Sequence, residues 1–381
     1  MKIPLFKIYW DEEDIKLTSE AIKKGMSWAT GPNIVAFERM IADYIGAKYC
    51  LAFNSGTSAL HVLLLAYDIG PGDEVIVPSF TFIATANALL FVGAKPVFAD
   101  IEEGTYGLDP EDVEGKITSK TKAILPIHYG GSPCLVRELR EIADAHGLIL
   151  IEDAAEALGA RIGEKKAGAF GHSAMLSFCQ NKIITTGEGG AIVTDSKEIY
   201  EKLKLLRSHG RQETSDYFTS AEYMDYVTLG YNFRISDILA ALGIAQLNKV
   251  DKIIEMRRRN AEYMNQRLCD IEEITPPRVP EDYFHVYQMY AIRVKGDKDS
   301  RDGLMAYLGN RGIMTKVNFH PVHLSQFYRE KFGYKAGELP ITEKVSNQVL
   351  TLPMYPTLTE EEIDYIGEQI KDFFVKGGSR E

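Results

Sequence analysis

Short apolar runs alternate with longer amphipathic stretches through the first two thirds of the chain. Residues 73–80 (DEVIVPSF), 94–100 (AKPVFAD), 122–129 (KAILPIHY), 148–153 (LILIED), 173–178 (SAMLSF) and 190–195 (GAIVTD) read as strands. Most are apolar at successive positions instead of at every second one, as expected when both faces of a sheet are covered. Apolar positions at helical spacing mark 35–46 (VAFERMIADYIG), closed by Gly46, and 135–147 (LVRELREIADAHG). Residues 56–70 (GTSALHVLLLAYDIG) read as a helix entered through a turn of small residues. Strand, helix, strand in this rhythm predicts an α/β fold, with a mainly parallel sheet and helices on both faces.

The pattern then changes. Residues 235–268 carry an aliphatic stripe with charges elsewhere and read as one long helical stretch. A proline-rich segment, 274–285, reads as a connection, and strand and helix signals mix from residue 286 onwards. Two domains are expected: a large one over 1–245 and a smaller C-terminal α+β domain over 246–381. A chain of 381 residues is long enough for both.

Composition narrows the partners. The chain is 45% hydrophobic and 25% charged, ordinary for a globular protein. Its net charge of −11, with no basic tail or arginine block, argues against nucleic acid. Any anionic ligand must therefore be held by local groups. Cys50, Cys134, Cys179 and Cys269 are scattered, which fits a reducing compartment and gives no metal signature. The first residues lack the apolar core of a signal peptide, and no apolar run reaches the roughly 18 residues of a membrane span. A cytoplasmic protein is expected.

Four features carry chemistry. An apolar strand ends in Glu152-Asp153, where open parallel sheets place ligands, although aspartate at such an edge is equally a helix cap. Lys182 follows the strand 173–178 and precedes Gly187, Gly189 and Gly190. A lysine amine in a desolvated or electropositive site becomes a nucleophile towards carbonyls, whereas an isolated loop lysine is usually just solvated. Ser55, Gly56, Thr57 and Ser58 open a helix, which suits a phosphate or plain capping. Phe80 or Phe82, after the strand 73–80, is placed to lie against a flat ring or to fill the core. Taken together they describe one ligand. Its phosphate meets Gly56, Thr57 and Ser177, its ring nitrogen Asp153, its flat face Phe82, and its aldehyde Lys182. That ligand is pyridoxal 5′-phosphate, whose protonated ring acts as an electron sink.

The motifs WATGPNIVAFE (28–38), NSGTSAL (54–60), GDEVIVPSFTFIATANA (72–88), EDAAEALGA (152–160), GHSAMLSFCQNKIITTGEGGAIVTD (171–195), LGYNFRISDILAALGIAQL (229–247) and HPVHL (320–324) span nearly the whole chain. With them the sequence resembles the DegT/DnrJ/EryC1/StrS sugar aminotransferases, within the aspartate-aminotransferase fold (fold type I). The resemblance implies amino transfer from L-glutamate to a nucleotide-linked keto-sugar. It implies that Lys182 forms the Schiff base, where related dehydratases carry histidine, and that Glu156 also contacts the cofactor. It implies a homodimer with shared active sites, Asn232 of one subunit reaching the other's cofactor phosphate. His320, Lys316 and Arg234 are candidates for holding the sugar diphosphate or the glutamate carboxylates, against a reading as ordinary surface or inter-element contacts. NKIITTGEGG with EDAAEALGA is most similar to enzymes that make GDP-perosamine by aminating C4 of a 4-keto-6-deoxyhexose. PIHYGG (126–131) and VNFHPVH (317–323) depart from the usual forms and leave sugar and nucleotide open, as they leave C3 amination of a 3-keto sugar. A desulfurase would need a mobile reactive cysteine, and Cys179 is too close to Lys182. A cofactor-binding regulator would need a DNA-reading segment that this chain lacks.

Overall fold

A seven-stranded sheet organises the molecule. Its strands are β1 (Tyr49–Phe53), β2 (Glu74–Pro78), β3 (Lys95–Ala99), β4 (Thr121–Ile124), β5 (Ile149–Asp153), β6 (Ser173–Ser177) and β7 (Gly190–Thr194). They lie in the order β1-β7-β6-β5-β4-β2-β3, all parallel except β7, which runs antiparallel to both neighbours. The computed structural model describes residues 1–212, 217–218 and 220–375.

The helices follow from the same sequence rhythm. α1 (Glu12–Lys23), α2 (Pro32–Ile45), α3 (Gly56–Ala66), α4 (Ile83–Phe91), α5 (Val136–His146), α6 (Lys197–Arg207), α7 (Asp237–Leu247) and α8 (Val250–Leu268) carry most of the layers. Strand side chains alternate between faces. Leu51 and Phe53 of β1 join Leu60 and Leu63 of α3, Leu89 of α4 and Leu203 of α6 in one core. Cys50 and Ala52 point the other way, to Phe37 and Ile41 of α2 and Ile253 of α8. Both faces are thus covered, which is why β2 (EVIVP) is buried at every position.

One strand goes unread in the sequence, and two local expectations change. β1 belongs to the sheet, although its short run between a helix and a small-residue turn carries no periodicity that separates strand from helix. The stretch 235–268 is two helices, α7 and α8, with a break at Asn248 and Lys249. There Lys249, nearly buried, donates to Asp14 Oδ2 at 2.7 Å and to Asp11, while Gln246 Nε2 donates to Asp14 Oδ1 at 2.8 Å. A buried charge drawn to the first turn of α1 sets this break, and hydrophobic spacing does not report it. The connection 274–285 contains two short strands: β8 (Ile274–Thr275), which joins the C-terminal sheet, and Tyr283–Phe284, which pairs with Arg161–Ile162.

The C-terminal part is α+β. β8 pairs with β9 (Tyr290–Val294), and β9 with β10 (Val349–Leu352), all antiparallel. Ala261, Met264 and Leu268 of α8 enter this second core, so the one helix serves both cores. Ile3 is also part of it: its N–H donates to Gly312 O at 2.8 Å and its carbonyl accepts from Met314 at 2.9 Å. Among the described residues no helix is long and apolar enough to cross a membrane.

Candidate active site

Strand β5 ends on Asp153 at the carboxyl edge of the sheet, where ligands of open α/β folds bind. The side chain is buried, and each oxygen has a donor. Oδ1 accepts from the Ala155 N–H at 3.1 Å and Oδ2 from the Thr85 hydroxyl at 2.8 Å. Burial pushes its pKa up; the Thr85 hydroxyl, the Ala155 amide and the charge of Lys182 act in the opposite sense, and Glu156 adds to the rise. A buried carboxylate with a cation nearby is suited to hold a protonated ring nitrogen.

Lys182 lies on the turn after β6, its N–H bonded to Cys179 O at 3.0 Å. Its Nζ stands 3.4 Å from Glu156 Oε1, and Glu156 Oε2 accepts from the Gly130 N–H at 2.9 Å. Both side chains are largely withdrawn from solvent. The lysine is therefore largely withdrawn from solvent beside a carboxylate, not solvated on a loop.

Next to β6 and β7 the first turn of α3 begins. Ser55 caps it, its hydroxyl accepting from Ser58 N–H at 3.0 Å. The first amides of a helix have no intrahelical acceptor, so those of Gly56 and Thr57 are available to an anion. A side chain at Gly56 would meet Met175 Sδ at 2.9 Å and Ser177 Cβ at 3.3 Å. Only glycine lets this turn lie against Ser177, which brings the amides and the Ser177 hydroxyl into one cradle. The donor set fits pyridoxal phosphate: an anion cradle, a buried carboxylate for the ring nitrogen, and an enclosed amine.

The two aromatic candidates separate. Phe80 is fully buried, whereas Phe82 is 60% exposed at the N-terminus of α4. Phe82 lines a cavity of about 710 Å³ together with Lys316, Phe319 and His320. Lys316 is held there by backbone pairing with Thr351 of β10. Burial lowers the pKa of His320, as do the charges of Arg301 and Lys298. Arg234 does not line that cavity; its backbone bridges Phe53, just before the Ser55 cap. Its guanidinium donates to Ser208 Oγ at 3.0 Å and lines a second cavity of about 360 Å³, with Arg207, Glu38 and Thr30. Asn232 is exposed on the same segment, its backbone bridged to Ser208. It does not cap α7, because that position belongs to Ser236, whose hydroxyl accepts from Leu239 N–H.

Two supports escape sequence reasoning. Thr85 binds Asp153 from the first turn of α4, and a threonine there has no pattern that distinguishes it from an ordinary helix residue. Glu152 points away from the ligand edge and accepts from Gly168 N–H at 2.8 Å, Gly171 N–H at 2.5 Å and His128 Nε2 at 2.7 Å. The Cys134 amide donates to His128 Nδ1, which leaves the ring proton on Nε2, facing Glu152. Glu152 is the structural carboxylate of the pair and Asp153 the one aimed at the site; the dipeptide alone does not tell them apart.

The comparisons agree with this chemistry. The sequence model of the DegT/DnrJ/EryC1/StrS aminotransferase family matches residues 9–371. The GDP-perosamine synthase of Caulobacter vibrioides is 41% identical over 340 residues, 89% of each chain. The solved structure of Helicobacter pylori PseC, an aminotransferase of pseudoaminic acid biosynthesis, superposes with a TM-score of 0.92 at 30% identity, covering 99% of this chain and 100% of that one. The PLP form of the putative sugar aminotransferase Spr1654 from Streptococcus pneumoniae also superposes with a TM-score of 0.92, at 28% identity and 99% coverage of both chains. Fold type I, pyridoxal phosphate and amino transfer to a sugar follow together: this chain belongs to the DegT/DnrJ/EryC1/StrS family and is a pyridoxal-phosphate-dependent sugar aminotransferase.

Proposed function

We propose that the enzyme transfers the amino group of L-glutamate to C4 of a nucleotide-linked 4-keto-6-deoxyhexose, as GDP-perosamine synthases do, and works as a homodimer with shared active sites. The observation that carries the sugar assignment is the 41% identity to the Caulobacter GDP-perosamine synthase across 89% of both chains. When bound, pyridoxal phosphate supplies an electron sink for the carbon that gains or loses the amino group.

The residues of this chain divide the remaining work. Lys182 Nζ is the covalent attachment point and, once displaced, moves the proton at the reacting carbon. Asp153 holds the proton on the ring nitrogen. Gly56, Thr57 and Ser177 would hold the phosphate, and Phe82 would cover one face of the ring. Glu156, anchored by the Gly130 amide, faces the lysine and orients it. Lys316 and His320 bind anionic parts of the nucleotide sugar from the cavity beside Phe82. Asn232 and Arg234 serve the partner subunit's site, Arg234 as a carboxylate ligand.

Incubation of the holoenzyme with glutamate and a panel of nucleotide-linked 4-keto and 3-keto sugars tests this reading. The expected product is the 4-amino sugar of GDP-4-keto-6-deoxymannose. Amination of 3-keto sugars alone would overturn the C4 assignment.

A further inference from the structure

We infer that Thr85 is a positioning residue whose hydroxyl fixes the Asp153 carboxylate, while its own backbone N–H holds the Phe82 carbonyl; this rests on the reading of Asp153 as partner of the ring nitrogen. Thr85 is 1% exposed. Its Oγ1 lies 2.8 Å from Asp153 Oδ2, 2.8 Å from Thr81 Oγ1 and 3.1 Å from Phe82 O. A hydroxyl has one proton to give, and a carboxylate is a stronger acceptor than a neutral carbonyl or hydroxyl. The Thr85 proton therefore goes to Asp153. Thr81, also 1% exposed, must then donate to Thr85, which gives a directed chain from Thr81 through Thr85 to Asp153.

The geometry gives this chain a purpose. Asp153 is at the end of β5, while Thr81, Phe82 and Thr85 follow β2, and β4 lies between these strands in the sheet. With the cofactor bound, the carboxylate would be the partner of its ring nitrogen and Phe82 the cover of one face. These two groups come from separate strand ends, and Thr85 bonds both, its hydroxyl to the carboxylate and its backbone N–H to Phe82 O at 3.1 Å. The Thr81 hydroxyl behind Thr85 and the Asp153 carboxylate ahead of it keep the Thr85 hydroxyl aimed. Without it, Oδ2 would be a buried charged oxygen lacking a donor, which favours protonating or turning the carboxyl. Either change removes the acceptor that the ring nitrogen needs.

The test compares Thr85→Val, which keeps the shape and deletes the hydroxyl, with Thr85→Ser, which keeps the hydroxyl. Asp153→Asn serves as reference. Three quantities are read: the dissociation constant of pyridoxal phosphate from titration of the apoenzyme, the pH at which the visible band of the bound cofactor titrates, and the melting temperature of the apoenzyme. Thr85→Val is expected to weaken cofactor binding about tenfold, the size of one lost hydrogen bond to a charged group, and to move the band titration. Thr85→Ser should stay within about threefold, a few tenths of such a bond. Should Thr85→Val not fold, Thr81→Val removes the donor behind Thr85 and must move the band in the same direction. If Thr85→Val binds and titrates as the parent while Asp153→Asn loses both, the positioning role is wrong and the reading of Asp153 stands. If Asp153→Asn also behaves as the parent, both fall.

Discussion

Lys182 shows how much a single position takes from its surroundings. Nothing in its own neighbourhood distinguishes it from a solvated lysine except the glycines that follow. In the folded chain its amine is enclosed and lies 3.4 Å from Glu156. Borohydride reduction of the holoenzyme, followed by peptide mapping, should place the cofactor on Lys182, and label on another lysine would contradict the assignment. Lys182→Ala should retain the fold and lose turnover. Residues that touch the ligand were legible because their chemistry is specific: an amine, a carboxylate at a strand end, small residues at a helix start. Thr85 and Glu152 were not, because they act through other side chains and their partners are 68 and 24 residues away or at backbone amides. A buried histidine adds a pH dependence. His285 is held at a pKa of about 3 by burial and by the nearby Arg258 charge, with its Nδ1 accepting from the Tyr287 amide. The unfolded chain binds that proton near pH 6.5, so between about 6.5 and 3 the unfolded state carries more protons than the native one. The stability this neutral ring contributes is complete above pH 6.5 and is lost as pH falls towards 3. In His285→Gln the melting temperature should fall less steeply with acid across that window; an unchanged slope would refute the point.

At the scale of elements, the strands of the sheet were readable because burial on both faces makes them apolar throughout. β1 and the break between α7 and α8 were not, because each is decided by a distant partner: β7 in one case, Asp11 and Asp14 in the other. The start of α2 is the same kind of case. Its N-cap is Gly31, which offers no side chain, and the cap is supplied by Asp237, at the start of α7. Asp237 accepts from Asn33 N–H at 2.8 Å, Asn33 Nδ2 at 2.6 Å and Ile34 N–H at 3.2 Å. A Cβ on residue 31 would lie 2.6 Å from the Asp237 carboxyl, so glycine is required there for space. One buried carboxylate thus faces the positive ends of two helices. Asp237→Ala should cost about 2 kcal/mol, since it leaves buried amides without an acceptor. Asp237→Asn, which keeps an acceptor oxygen, should cost less. Equal losses in urea denaturation of the two variants would show that charge, not capping, dominates.

At the scale of the whole molecule, the site residues fall on two surfaces of the chain, which meet at the bridge between Arg234 and Phe53. Lys182, Asp153 and Glu156 converge at the carboxyl edge of the sheet, whereas Asn232 and Arg234 lie on a segment with exposed apolar neighbours, Leu229 at 81% and Tyr223 at 83%. Exposed apolar surface of this kind marks contact surfaces. Asn232 does not cap its own helix, because Ser236 takes that place. A two-fold interface would use this segment twice and complete two equivalent sites together. The enzyme should therefore be at least a dimer in solution, and dilution to monomers should release pyridoxal phosphate. Subunit mixing is the sharper measurement. Lys182→Ala and Asn232→Ala homodimers should each be inactive or nearly so, one for want of the attachment point and the other for want of a phosphate ligand. In a mixed dimer, the site with the intact Lys182 belongs to the Asn232→Ala subunit and receives a native Asn232 from its neighbour, while the other site carries both defects. Activity should return to about half that of the parent per mixed dimer, because one of the two sites is whole. Subunit exchange is followed in parallel with differently tagged chains. Exchange without recovered activity would show that Asn232 serves its own chain, and the shared-site arrangement would fall with it.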